Sequence, residues 1–151
     1  MTVAEARAEL RQLVDDGVRC PCCTQLAKVY RRPIHAAMAA GLIAVYRNGG
    51  ADRFVVIADV LRHNQIADFG KLRYWGLVGT DDERREDGST RTGYWQVTST
   101  GVDWILGRVT VPRYARIYDS RLLGLVGEPV TIRERLGKRF DYDRLMQGVA
   151  P

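Results

Sequence analysis

Residues 33 to 107 read in order as helix, helix, turn, helix, hairpin and helix, and this order constrains the fold more than any other feature of the chain. Pro33 suits a first helical turn, where its missing N–H costs nothing. Ile34, Met38, Leu42 and Val45 then share one stripe, while Ala36, Ala37, Ala39, Ala40 and Gly41 admit close neighbours, which predicts a helix over 33–46 ended by Asn48-Gly49-Gly50. FVVIADVLRH (54–63) reads as a second helix, its β-branched start leaving a strand open, and His63-Asn64-Gln65 as a turn. In ADFGKLRYWGLV (67–78), Phe69, Leu72 and Gly76 share a helical face flanked by Ile66 and Trp75, and Ala67, Gly70, Lys71 and Tyr74 face the other way. The polar run 80–92 followed by GYWQVT predicts a hairpin with a long tip, and Thr100-Gly-Val-Asp103 starts a further helix through WILG.

The flanks carry local signals of their own. Thr2-Val-Ala-Glu5 is a capping box, followed by Leu10, Leu13 and Val14 at helical spacing and a stop at Asp15-Asp16-Gly17, so a helix spans about 3–16. AKVYRR is a short extended run. Toward the C-terminus, ARIY and LLGLVG are short β runs with Asp119-Ser120 between them, and Thr131-Ile-Arg-Glu134 is a second capping box. Short helices follow over 132–136 and 141–146, separated by Gly137. The expected fold class is α+β, with an N-terminal helix and cysteine loop (1–32), a central core (33–107) and a C-terminal β-hairpin and short-helix extension (108–151).

The 151 residues are 46% apolar and 27% charged, a balance that favours an ordered core over disorder. No run approaches the ~18 apolar residues of a membrane span, and the amphipathic start holds no apolar signal core, so a cytoplasmic location without membrane association is expected. The net charge of +5 points to an anionic partner. Its distribution is uneven: residues 51–100 carry seven Lys/Arg against eight Asp/Glu, and the two ends supply the positive charge.

ADFGKLRYWGLV followed by GYWQVTSTGVDWILG resembles winged helix-turn-helix proteins, in which the second helix of the turn lies in the major groove and a hairpin forms the wing. The likeness covers about residues 51–107. With CPCCTQLAKVYRRPIHAAM before it and VPRYARIYDSRLLGLVGEPVTIRE after it, the whole chain is also similar to small bacteriophage- and prophage-encoded proteins, which implies an origin and no activity. The winged-helix resemblance implies that Ala67, Lys71 and Tyr74 face bases or groove walls, that Asn64 and Gln65 touch base edges or phosphate, and that Arg73 reaches the backbone. Arg91 in the wing would add a further cation. Against this, Asp81, Asp82, Glu83, Glu86 and Asp87 outnumber Arg84, Arg85 and Arg91 at the hairpin tip, which shifts weight toward a host protein as the partner.

Outside the core, Lys28, Arg31 and Arg32 interleave with Tyr30 as an anion-binding candidate, and Arg133, Arg135, Lys138 and Arg139 form a second basic cluster that a solvated helix face explains as readily. Three cysteines within four positions are too close to frame a disulfide scaffold. Cys20 and Cys23 form a C-x-x-C pair that Cys22, His35 and His63 remain to complete as a zinc site, with Cys20, Cys22, Cys23 and His35 the candidate set, and a site shared by two chains with two cysteines from each is another arrangement. Structural cysteines without cofactor are the default expectation. No phosphate-binding glycine loop, paired-histidine helix or nucleophile elbow is present, so catalysis is not expected. Double-stranded DNA or a host protein is the expected partner, and a homodimer would place two recognition helices on a palindromic site.

Overall fold

The computed structural model describes residues 1–80 and 93–149 and mixes α and β elements throughout. The chain divides into two compact units, one formed by Met1–Pro33 with Tyr114–Val126 and the other by Ile34–Arg113 with the chain from Gly127 onward. The C-terminal segment from 108 is therefore divided between the two units.

In the first unit, α1 (Val3–Leu13) begins with the expected capping box: Thr2 Oγ1 accepts the Glu5 N–H at 3.1 Å, and Glu5 Oε2 accepts the Thr2 N–H at 2.7 Å. Those contacts with Thr2 hold the Glu5 carboxyl below its usual range. The helix stops three residues short of the sequence expectation, because Gly17 (φ +95°) returns its N–H to Leu13 O at 3.0 Å. β1 (Val18–Arg19) and β2 (Leu26–Ala27) form a small hairpin with Val18 opposite Ala27. β3 (Tyr30–Pro33) pairs antiparallel with β7 (Val111–Tyr118), which also pairs with β8 (Arg121–Val130), giving the order β3-β7-β8. Pro33 thus ends a strand, opposite Tyr114, instead of opening a helix; β3 is a sheet edge, where a residue without an N–H is tolerated. Asp119 (φ +49°) and Ser120 (φ +60°) are both left-handed, the conformation a two-residue hairpin turn requires to match strand twist. Ala6, Ala27, Val29, Ala115 and Ile117 are buried in this unit.

The second unit is built around α2 (Ala36–Val45), whose sequence is apolar on every side. Met38 through Ile43 and Val45 are all buried, and α2 packs against α3 (His63–Phe69), α5 (Ile132–Leu136) and α6 (Tyr142–Met146). The expected stripe of four residues understated this, since a helix apolar all round must be covered all round. The turn over 46–50 ends it, with Gly49 at φ +86°. The 54–63 helix does not form: Val55–Val56 is strand β4, followed by a single 3-10 turn over Ile57–Asp59. Two β-branched residues at the point where β6 (Tyr94–Val97) passes are better spent in a ladder than in a helix. β6 pairs antiparallel with β4 on one side and β5 (Val78–Thr80) on the other, so the order is β4-β6-β5. The tip joining β5 to β6, residues 81–92, lies outside the described residues, and with it Arg91 and the acidic run.

His63-Asn64-Gln65 are the first turn of α3, not a loop, because Gln65 Oε1 accepts the Arg62 backbone N–H at 3.0 Å and caps the start. After Phe69 the helix tightens to 3-10 over Gly70–Trp75, and Phe69, Leu72 and Trp75, spaced by three, fall on one buried line. α4 (Ser99–Ile105) starts two residues earlier than expected. Its cap is Thr98, whose Oγ1 accepts the Gly101 N–H at 3.0 Å and donates to Gly76 O at 2.6 Å. The second capping box is present, with Thr131 Oγ1 accepting the Glu134 N–H at 3.2 Å at the start of α5.

Two helical glycines have opposite surroundings. A Cβ on Gly101 would run into the Leu77 carbonyl oxygen and lie 2.7 Å from Val97 Cγ1. A Cβ on Gly41 would meet Leu61 Cδ2 at 3.5 Å and Phe69 Cδ2 at 3.7 Å, which is ordinary contact. Since alanine in a helix interior is favoured over glycine, Gly41→Ala should raise stability by about 0.5–1 kcal/mol, read as a higher denaturant midpoint at unchanged slope. A lower midpoint would show that α2 and α3 sit closer than described.

Candidate functional site

α3 presents a surface made by the residues its buried line leaves over. With Phe69 and Leu72 turned inward, His63, Asn64 and Ala67 are exposed, and Gln65, Lys71 and Tyr74 are half-buried. Ala67 and Asn64 are thus both on the open side of α3. Lys71 is paired: its ammonium lies 2.6 Å from Asp68 Oδ1 one turn back. Gln65 is committed at both ends of its amide, accepting from Arg62 N–H and donating to Ala37 O at 3.5 Å, so it fixes α3 against α2 instead of offering a free amide. Arg73 bends onto its own helix, donating to Gly70 O at 2.8 Å and to the Tyr74 hydroxyl at 3.1 Å, with its guanidinium 4.5 Å from the Tyr74 ring centre.

A concavity with exposed arginines lies at the start of α3. Arg62, Asn64 and Gln65 share a concavity of about 220 Å³ with Ala37, Arg139 and Phe140. Arg139 and Phe140 also line a neighbouring concavity of about 280 Å³ with Lys138, Asp141 and Arg144. Two factors place these cations. Gly137 (φ +59°) ends α5, and Asp141 Oδ1 accepts the Arg144 N–H at 3.0 Å to start α6, so residues 138–140 are held as a short connection beside α3. Arg139 lies 5.2 Å from the Phe140 ring centre, which supports the guanidinium while leaving its edge exposed. Arg62, Lys138, Arg139 and Arg144 enter no ion pair among the described residues. The other members of the basic run behave differently, since Arg133 stacks 4.0 Å from the Tyr142 ring and reaches Asp143 at 3.3 Å, and Arg135 has a buried Nε without a hydrogen-bond partner.

Sequence reasoning named Lys138 and Arg139 but not their neighbours. Arg62, Arg144 and Phe140 were missed, and the only signal for the two arginines was cationic type near a predicted helix start, which is too common to single out.

In the first unit, Lys28, just ahead of β3, and Arg32, within it, flank Tyr30 at 5.5 and 4.9 Å from its ring centre. Arg31 is exposed in the strand register opposite Arg116, whose guanidinium is 2.6 Å from Asp15.

Cys20, Cys22 and Cys23 belong to the first unit and His35 to the second. Among the described residues no three His, Cys, Asp or Glu side chains gather as a metal site. His35 is exposed at the cap of α2, with extended backbone and its N–H directed to Met38 Sδ, whereas the cysteines sit in the β1–β2 loop of the other unit. No helix among the described residues is long and apolar enough to cross a membrane. Comparison of the chain with protein-family models, with curated proteins and with solved structures finds no match.

Proposed function

We propose that the chain binds double-stranded DNA as a winged helix-turn-helix module, with α3 as the groove-facing helix and Arg62, Lys138, Arg139 and Arg144 as its phosphate contacts, in the role of a phage or prophage regulator. The observation that carries the reading is that Arg62 and Arg139, exposed and from distant stretches of chain, share a concavity at the start of α3, that Lys138 and Arg144 line the neighbouring one, and that none of the four enters an ion pair among the described residues. The element order supports it: a helix, a short strand, a turn, a second helix and a hairpin whose returning strand lies central in the sheet. Phosphate contacts supply affinity and register, and the exposed Asn64 amide beside them can read an adenine edge.

Four phosphate contacts predict a log–log salt slope of about −3.6, equivalent to roughly 100-fold weaker binding between ~50 and ~200 mM salt. Fluorescence anisotropy of a labelled generic duplex measures this directly. Absence of binding at the lower salt would overturn the reading.

A second reading, a module that docks a host protein, is favoured by the acidic run at 81–87, which phosphate would repel and a basic protein surface would attract. Its signature is a lysate partner retained after nuclease treatment, with no duplex binding.

A further inference from the structure

We propose that the first unit docks an acidic peptide segment of another protein, one that carries large apolar side chains, in the concavity between α1 and the β7–β8 hairpin. Leu10 and Val14, one turn apart at the end of α1, line one side, Tyr118 and Leu123 the other, and the buried Ala27 and Val29 lie between, around a space of about 230 Å³ with Arg11 at its rim. The sides are tied together within the unit: Val29 N–H donates to Val14 O at 2.8 Å, and the Arg116 guanidinium of β7 lies 2.6 Å from Asp15 just past α1. A recess held in this way loses little freedom when it is filled. Eight of the twelve exposed large apolar residues among those described, Leu13, Leu26, Leu122 and Leu123 with them, belong to this unit, which holds under a third of the chain. Clustered apolar exposure of this kind marks an interaction surface, where scattered single residues would not.

Charge decides what covers it. Arg7 and Arg11 repeat at i and i+4 on α1, on the face that carries Leu10 and Val14, and the two-residue turn Asp119-Ser120 sets Arg121 across from Tyr118 on the opposite side. All three arginines are exposed and none enters an ion pair among the described residues, whereas Asp15 is occupied by Arg116. The unit as a whole carries eight Lys/Arg against five Asp/Glu. Carboxylates on either side of an apolar anchor complement such a rim, which is the usual arrangement of an apolar interface centre within a polar border. The other occupants fit less well. A second copy of the chain would set these cations against their own kind, and the chain's acidic run at 81–87 holds no apolar residue to fill the recess. Its volume falls short of the roughly 300–1,000 Å³ of sites that enclose a small molecule, and a flat bilayer surface would leave it empty. An anchoring side chain on a peptide needs only a recess of this size. This surface is in a different unit from the proposed DNA surface, and neither proposal rests on the other.

The test titrates the full chain into a short fluorescein-labelled peptide of Glu with Leu at helical spacing, read by anisotropy, and maps the contact by amide shifts in NMR. The expected result is saturable binding with shifts gathered at Leu10, Val14, Ala27 and Val29. Affinity should fall about tenfold in Arg11→Glu and in Leu123→Asp, and stay unchanged in Arg62→Glu with Arg139→Glu. Arg11 and Leu123 are both exposed, so these variants should keep the fold, which circular dichroism checks. Peptides with Lys in place of Glu, or Ala in place of Leu, should not bind. No binding of the acidic peptide, equal binding of either control peptide, or full affinity in both Arg11→Glu and Leu123→Asp would overturn the proposal. So would capture by phosphatidylglycerol vesicles without peptide binding, which would assign a membrane surface. A dimer in sedimentation that Leu123→Asp dissolves would assign the recess to a second copy and overturn it equally.

Discussion

Trp104→Ala is expected to lower the stability of the second unit by about 5 kcal/mol, a sum of two separable losses. Trp104 is fully buried in α4, so truncation removes the largest fully buried side chain among the described residues and leaves a cavity, which costs roughly 3–5 kcal/mol for an aromatic-to-alanine change. Its indole N–H also donates to Val130 O at 3.0 Å, at a residue that is itself 1% exposed. Deleting the donor leaves a buried carbonyl unsatisfied, at about 1–3 kcal/mol. Since whole domains are stable by only ~5–15 kcal/mol, the variant should be largely unfolded or melt tens of degrees lower. Trp104→Phe separates the contributions: it keeps most of the ring volume and loses the donor, so a cost near 2 kcal/mol is expected. Urea unfolding of the three chains measures both, and a loss under about 1 kcal/mol for Trp104→Ala would mean that α4 is not anchored through Val130 as described.

The features legible in the sequence are those whose cause is local. Thr2 with Glu5 and Thr131 with Glu134 satisfy helix-start donors within three residues, and Asp119-Ser120 turns a hairpin between two apolar runs; each recurs in the structure at the expected residues. Where the outcome depended on a distant partner, the pattern misled. Val55-Val56 has no periodicity of its own, and only the passage of Tyr94 and Trp95 alongside makes it a strand. Pro33 is as acceptable at a helix start as at a sheet edge, and Tyr114, far along the chain, decides for the edge. The same holds for the candidate sites. Lys71 and Arg73 were conspicuous as a cationic pair on a helix, yet Asp68 and the Gly70 carbonyl occupy them. Arg62 and Arg139 carry no mutual signal in one dimension, and their shared concavity exists because α2 brings α3 and the α5–α6 connection together.

That shared concavity sets the second large effect. Arg62→Glu combined with Arg139→Glu should weaken duplex binding by about 100-fold at ~50 mM salt, since each charge-assisted hydrogen bond to phosphate contributes roughly 1.5–3 kcal/mol and 1.4 kcal/mol is one decade. The salt slope should become shallower by about 2, because two fewer counterions are released on binding. Lys71→Ala should do less: its ammonium is already shared with Asp68, so moving it to a phosphate exchanges one ion pair for another. Arg121→Glu makes the same charge change as either substitution at an exposed residue that lines neither concavity, and should alter affinity by less than about threefold at moderate salt, where screening weakens charge effects that are not local. Anisotropy titrations of the three variants rank these contributions. If Arg121→Glu weakened binding as much as Arg62→Glu with Arg139→Glu, affinity would be following net charge alone and α3 would lose its place as the docking element. If Lys71→Ala proved the most damaging, contact would run through the exposed middle of α3, with the Asp68 pair breaking on binding and the arginine concavity standing outside the interface.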